Sequence, residues 1–558
     1  MSFKVKLNNE EKTFDKKIKL LDLTNNDKDI ICADVNGRIR ELDYEVYYDA
    51  TVKFLKKDDH DSSGIYERGI RFIFAMTAHL LYPNLRFKLT YSVSRSIYAQ
   101  IDNLNDDGRQ LILTEEMAKN IEDKMREIVR ADYPFKRLIK TNDEAKVMYE
   151  EFNSKDKLEI LQYRPEKTVH FYNCNNYFNY MYGKMVPSTG YLKEFKLLYY
   201  TPGLLIQYPR SDANGEIPPF EDEPKFAASL MRAREWGKTV KLSTISEINS
   251  KIDPTNTLTS VNLINICEAK HNRMLCELGQ KIESHIEQIR LICIAGPSSS
   301  GKTTFADRLT IELKSRGINP IRVSMDDYYK NKKDVPIDED GNYDFESVDA
   351  LDKELFNKHI IGLLNGETVA LPEFDFKTNT RVFKNPRKIG PHDPIIIEGI
   401  HALNEIMTAS IPKYMKFKIY ISPQIQLNLD NETPISLTDV RLLRRIVRDY
   451  SHRGASAEET LSMWPSVRKG EFKWIYKTQE DADFVFDSFL NYELCVLAKH
   501  AQPLLQKIDK DSEFGPDVER LLSLLKYFTP IKEEWIPSNS IIKEFVGGSC
   551  YRDPKMYD

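Results

Sequence analysis

The stretch LICIAGPSSSGKTT, Leu291 to Thr304, constrains this chain more than any other. An apolar run of strand type ends in Gly296-Pro297-Ser298-Ser299-Ser300-Gly301-Lys302-Thr303, after which Phe305, Leu309 and Leu313 recur at helical spacing up to Gly317. Strand, glycine-flanked loop and helix in that order make a phosphate cradle. The two glycines let the backbone wrap an anion, and the loop N–H groups and helix N-terminus attract its charge. Lys302 reaches the outer phosphates and Thr303 offers an oxygen to Mg²⁺. ATP is therefore expected against Gly296, Ser298, Ser299, Ser300, Gly301, Lys302, Thr303 and Thr304. Further on, the apolar runs NPIRVSM and DPIIIEGI alternate with helical patterns, which is the signature of an α/β fold with a parallel sheet.

Open parallel sheets hold ligands at the carboxyl ends of their strands. Two acids fall there, Asp326 in SMDDYYK and Glu398 in PIIIEG. Asp326 is placed to accept the proton of an attacking hydroxyl, and Glu398 to hold the metal directly or through water. Farther along, Arg441, Arg444, Arg445 and Arg448 stand at i, i+3, i+4 and i+7, with Arg453 beyond, so several guanidinium groups share one helix face. A lid carrying them over the phosphates would neutralise charge and exclude water. Asp439 and Asp449 are candidate partners for part of the set.

Six motifs in order, GPSSSGKTT, SMDDYYK, NYDFESVDALD, LPEFDF, IIIEGIHAL and RLLRRIVRDYSHRG, make residues from about 288 to 505 resemble the uridine kinase and phosphoribulokinase family of P-loop kinases. The resemblance implies that Asp326 deprotonates a ribose 5'-hydroxyl and that Asp344 binds ribose hydroxyls. It implies Mg²⁺ on Thr303 and Glu398, catalytic parts for Lys302 and Arg448, and lid and phosphate contacts for Arg445, Arg448 and Arg453. Where that family sets a tyrosine, a histidine and a glutamine around a pyrimidine, this chain has Phe374, Asn379 and Met463. The expected activity is transfer of the γ-phosphoryl of ATP to a ribonucleoside, uridine or cytidine first. An RNA-binding or regulatory nucleotide switch and a kinase of another sugar are the alternatives.

Residues 1–58 are expected to form a small β-rich unit, with Asn36-Gly37 supplying a hairpin turn. They resemble the TGS domain, the β-grasp module of threonyl-tRNA synthetases, and the α+β unit at 59–250 resembles that enzyme's second, editing-type domain. The editing type needs HxxxH and CxxxH. Here only His79 remains, read as a partly buried structural histidine, with Ala75, Met181 and Met185 at the other positions, so metal-dependent editing is not expected. A connecting helix at 251–287, the kinase-like unit at 288–510 and a helical or extended tail at 511–558, docked on a neighbouring domain, complete the division. The whole resembles three-part nucleoside kinases of bacteria and protists. His170 and Cys174 are spaced like ligands on a helix, without a second pair.

A net charge of -5 with 30% charged residues does not call for an RNA partner, although one is compatible, as is a homo-oligomer. Seven cysteines without a CxxC pair read as reduced thiols. No run has the apolar length of a membrane span and the start lacks a signal-peptide core, so a cytoplasmic protein is expected.

Overall fold

The computed structural model describes residues 2–7, 10–105, 108–338, 341–375 and 380–551. The cradle strand, Leu291–Ala295, is the middle of a five-stranded parallel sheet in the order Ile321–Ser324, Ile395–Glu398, Leu291–Ala295, Lys416–Ser422, Phe484–Asp487. Every residue of the two strands Leu291–Ala295 and Ile395–Glu398 is buried, which is why both read as unbroken apolar runs. Register then fixes the rim. Glu398 pairs with both Ile294 and Ser324, and Asp326 follows Ser324 by two residues, so both acids expected at the site leave the sheet at one edge.

The helix Lys302–Ser315 buries Phe305, Leu309 and Leu313 on one face of the sheet, together with Leu275, Leu278 and Ile282 of the long helix Thr257–Glu283. Leu242, Ile245 and Ile248 belong to the same cluster. The boundary expected near residue 250 is therefore not a seam in the packing. On the opposite face, Cys293, Val323, Phe356 and Ile397 meet Phe226 and Leu230, and also Tyr91, Tyr98 and Leu205 from the front half. The tail likewise joins the core, with Val518, Leu521, Ile541, Ile542 and Phe545 in the cluster that surrounds the cradle helix.

Residues 3–7 and 10–56 carry a five-stranded mixed sheet in which Phe3–Leu7 and Ala50–Lys56 run parallel. Asn36 and Gly37 turn between Ile30–Val35 and Arg38–Arg40 with φ of 52° and 80°, as the sequence predicts. The next unit carries the strands Phe87–Val93, Ser96–Ile101, Lys196–Tyr200 and Gly203–Gln207 in one antiparallel sheet, with the long helix His60–Leu81 before it. His79 is exposed rather than partly buried. Its ring lies 5.6 Å from both Phe152 and Tyr177, beside a cavity of about 290 Å³. Met181 and Met185 are buried in the apolar core, and Ala75 lines the same cavity as His79. His170 and Cys174 stand on a strand, Thr168–Cys174, and not on a helix; Arg137 donates to the His170 ring while Cys174 is fully buried.

The front half also meets the kinase-like unit at a short hairpin, Asn428–Asp430 with Thr433–Pro434. Lys157 Nζ donates to Asp430 and Glu432 at 2.7 Å each, Asp156 accepts from Asn431 N at 2.8 Å, and Asn428 Nδ2 donates to Leu89 O at 2.8 Å. Asp156, Asp430 and Glu432 lie close enough together for a metal, and the Lys157 ammonium is ion-paired with two of them, Asp430 and Glu432. Ser436, the N-cap of the arginine helix Leu437–Arg448, follows this hairpin directly. No described helix is long and apolar enough to cross a membrane.

Candidate active site

The cradle loop is tightly built. A Cβ on Gly296 would stand 2.0 Å from Ile421 O, and Gly301 has φ of 91°, so neither position admits a side chain without strain. Lys302 Nζ donates to Gly296 O at 2.9 Å and Pro297 O at 3.1 Å. Burial lowers the Lys302 ammonium from its ordinary value, against the charges of Glu398 and Asp326. The Ser299, Ser300 and Thr304 hydroxyls are buried in and beside the loop without hydrogen-bond partners. Unpaired buried hydroxyls around a lysine at a helix N-terminus suit a bound phosphate chain.

The arginine helix holds this loop from behind. Arg441 Nε donates to Ser298 O at 3.0 Å and Arg444 Nη1 to Ser299 O at 3.2 Å, while Arg445 Nη1 donates to Ser298 Oγ at 2.8 Å. Arg441 is ion-paired with Glu471, and Arg444 with Glu493 at 2.6 Å; both arginine side chains are 0% exposed. This corrects the expectation of one arginine face turned to the phosphates. Arg441 and Arg444 are struts. Arg445, Arg448 and Arg453 instead converge on Asp449, at 3.3, 2.7 and 3.7 Å. Three guanidinium groups around one carboxylate leave an excess of positive charge beside the loop. Arg453 is lowered to about 10 by the charge of Arg448 and by burial. Asp439 pairs with Arg520 of the tail and not with these arginines.

Asp326, Glu398 and Lys302 lie near enough to one another for each acid's charge to act on the lysine and for Asp326 to act on Glu398. Glu398 is 3% exposed, and its carboxyl is pushed up to about 7 by burial, with the charge of Asp326 adding and those of Arg322 and Lys302 opposing. Glu398 at the rim and the half-buried Thr303 in the first turn of the cradle helix offer oxygen atoms of the kind Mg²⁺ takes.

Glu346 is a further acid beside this group. Its carboxyl is pushed up to about 7 by burial, held down by Arg445 and Lys302 and raised by Asp326 and Asp344. It therefore shares the field of Lys302 and Arg445. Asp344, the residue expected on the sugar hydroxyls, is half-buried, and its backbone N donates to Pro336 O at 2.8 Å. The only sequence signal for Glu346 was its place in the same NYDFES motif. Tyr329 was also missed; it donates to Phe345 O at 3.1 Å, and its ring lies 6.1 Å from those of Phe345 and Phe374. Phe374, 6% exposed, thus stands in an aromatic wall beside Asp327, which its backbone N contacts at 3.1 Å and which burial pushes up to about 6. Asn379 lies outside the described residues. Met463 is exposed on the helix Ala457–Gly470.

His401 ties two of these motifs together by donating from Nε2 to Glu346 O at 2.9 Å. Burial holds its ring down to about 4 from an ordinary 6.5. Between pH 6.5 and 4 the unfolded chain takes up a proton there that the folded chain refuses, so stability falls as pH falls, by about 3 kcal/mol over the window. His401→Gln is expected to flatten that part of a plot of urea midpoint against pH; an unchanged slope would show that the ring titrates normally.

Strand, cradle, rim acids and arginine cluster together define a P-loop nucleotide-binding kinase domain. The family described as "Phosphoribulokinase / Uridine kinase family" matches residues 291–494. Similar proteins include the uridine kinases of Mycoplasma genitalium, 31% identical over 196 residues, and Macrococcus caseolyticus, 32% identical over 196 residues; these cover 35% of this chain and 83% and 86% of the relatives. The uridine kinase of Halobacterium salinarum is 30% identical over 202 residues, 36% of this chain and 80% of its own. The chain belongs to the phosphoribulokinase/uridine kinase family through this kinase domain. Residues 1–290 and 495–558 lie outside the matched span.

Proposed function

We propose that this protein transfers the γ-phosphoryl of ATP to the 5'-hydroxyl of a ribonucleoside, uridine or cytidine, in the cytoplasm. The observation that carries the reading is the pair Asp326 and Glu398 at one rim of the sheet, both within electrostatic reach of Lys302. The cradle N–H groups and Lys302 hold the phosphates. Asp326 takes the proton of the sugar hydroxyl. Arg445, Arg448 and Arg453 stabilise the charge spread over the moving phosphoryl group, which needs positioning and neutralisation more than covalent help. Thr303 and Glu398 would hold Mg²⁺, which when bound neutralises the outer phosphate oxygens. Asp344 and Glu346 supply acceptors for ribose hydroxyls, and Phe374 supplies the face on which a base stacks.

On this reading Phe374→Ala raises KM for the nucleoside by roughly tenfold to a hundredfold, since base stacking contributes about 1–3 kcal/mol, and leaves KM for ATP unchanged. Equal effects on both substrates would remove Phe374 from the acceptor side. Initial rates of ADP release with pyrimidine nucleosides, purine nucleosides and a phosphorylated pentose test the acceptor class. Activity with the pentose alone would favour the phosphoribulokinase side of the family. In the front half we propose a TGS-like β-grasp unit and an editing-like unit without editing chemistry, whose contact with the Asn428–Pro434 hairpin steadies the arginine helix.

A further inference from the structure

The tail ends in a segment that reaches the cradle itself. From Pro537 the chain runs through Ser540, Ile541 and Ile542 into the short helix Lys543–Val546, then leaves through Gly547 and Gly548 with φ of 90° and 76°. Ile541 covers Gly301, where an added Cβ would stand 2.7 Å from its Cγ2. Phe545 lies with its ring 4.9 Å from the guanidinium of Arg444, the strut of the loop. Between them Glu544, 4% exposed, accepts a hydrogen bond from Thr304 N at 3.0 Å.

That N–H belongs to the first turn of the cradle helix, whose donors have no partners within the helix and are the ones a nucleotide's α- and β-phosphates use. One donor cannot serve a carboxylate and a phosphate at full strength, and two anions at one helix N-terminus repel each other. We propose that Glu544 is an internal competitor of the nucleotide: its carboxylate occupies the Thr304 N–H in the resting protein and must withdraw before the phosphate chain seats. The inference rests on the kinase reading of the cradle. It adds that the carboxyl-terminal segment, which lies outside the family's matched span, sets nucleotide affinity. Ile541 and Phe545 seat the segment against the loop in the resting protein, and withdrawal of the carboxylate loosens residues 541–547 as the nucleotide enters.

The test uses the full chain and ADP. Glu544→Gln retains an oxygen acceptor for Thr304 N and removes the charge, so fold and tail docking are preserved. The variant is expected to bind ADP at least about fivefold more tightly than the wild type by calorimetry, as loss of a charged competitor at one hydrogen bond implies. In the wild type, saturating ADP is expected to slow amide exchange in residues 296–305 and to speed it in residues 541–547. Equal or weaker binding by the variant, or unchanged or slowed exchange in 541–547 while 296–305 is protected, overturns the inference and leaves the kinase reading standing. Absence of protection at 296–305 in both proteins removes the kinase reading and this inference with it.

Discussion

Asp326→Asn is expected to lower turnover by at least about a hundredfold, as removal of a positioned general base does, while ATP affinity stays within about threefold of the wild type. The substitution keeps the shape of the side chain and one oxygen acceptor, so the sugar site remains formed. What it removes is the group that takes the hydroxyl proton. It also relieves Glu398 of a neighbouring negative charge that helps to hold its carboxyl near 7, so that carboxyl moves down toward its ordinary range. Single-turnover measurements of ADP formation separate this loss from any change in binding. Turnover within a few-fold of wild type would show that Asp326 is not the base.

Arg444→Met is expected to destabilise the kinase domain by about 3–5 kcal/mol, the scale for removing one partner of a buried ion pair. Arg444 and Glu493 are both 0% exposed and joined by two hydrogen bonds, of 2.8 and 2.6 Å. Without the guanidinium, Glu493 keeps a buried charge with no cation, and the Ser299 and Ser300 carbonyls lose the donor that orients them. The loop loosens as the domain weakens, so nucleotide affinity falls with stability. The double variant Arg444→Met with Glu493→Leu removes both charges and is expected to recover a large part of the unfolding midpoint without recovering nucleotide affinity, because the loop's carbonyls remain unheld. A single variant within about 1 kcal/mol of wild type would contradict the role of Arg444 as a strut.

The parallel sheet and its cradle were readable because buried strands write themselves as apolar runs and the loop needs its glycines and lysine at fixed offsets. The rim acids were readable for the same reason: each ends such a run. The arginine helix was only half readable. Its spacing places Arg441, Arg444, Arg445 and Arg448 on neighbouring positions, but periodicity says nothing about which acids answer them. The partners Glu471 and Glu493 lie 30 and 49 residues farther along the chain. His170 and Cys174 show a different limit, since a spacing of four puts residues on one face of a helix and also on one face of a strand. Glu544 was beyond local reading altogether, because its bond to Thr304 N spans 240 residues. Asp344 and Glu346 sit two apart in one motif, and the packing of Gly470 and His401 against Glu346 is not written in that motif.

Phosphorus NMR of a reaction with ATP and a pyrimidine nucleoside bears most directly on the central claim, that Asp326 and Glu398 flank a sugar hydroxyl opposite the γ-phosphoryl held by Lys302. The account predicts a nucleoside 5'-monophosphate resonance growing in step with ADP and free phosphate remaining at background. ADP appearing only with free phosphate, or no ADP with any nucleoside, would contradict it.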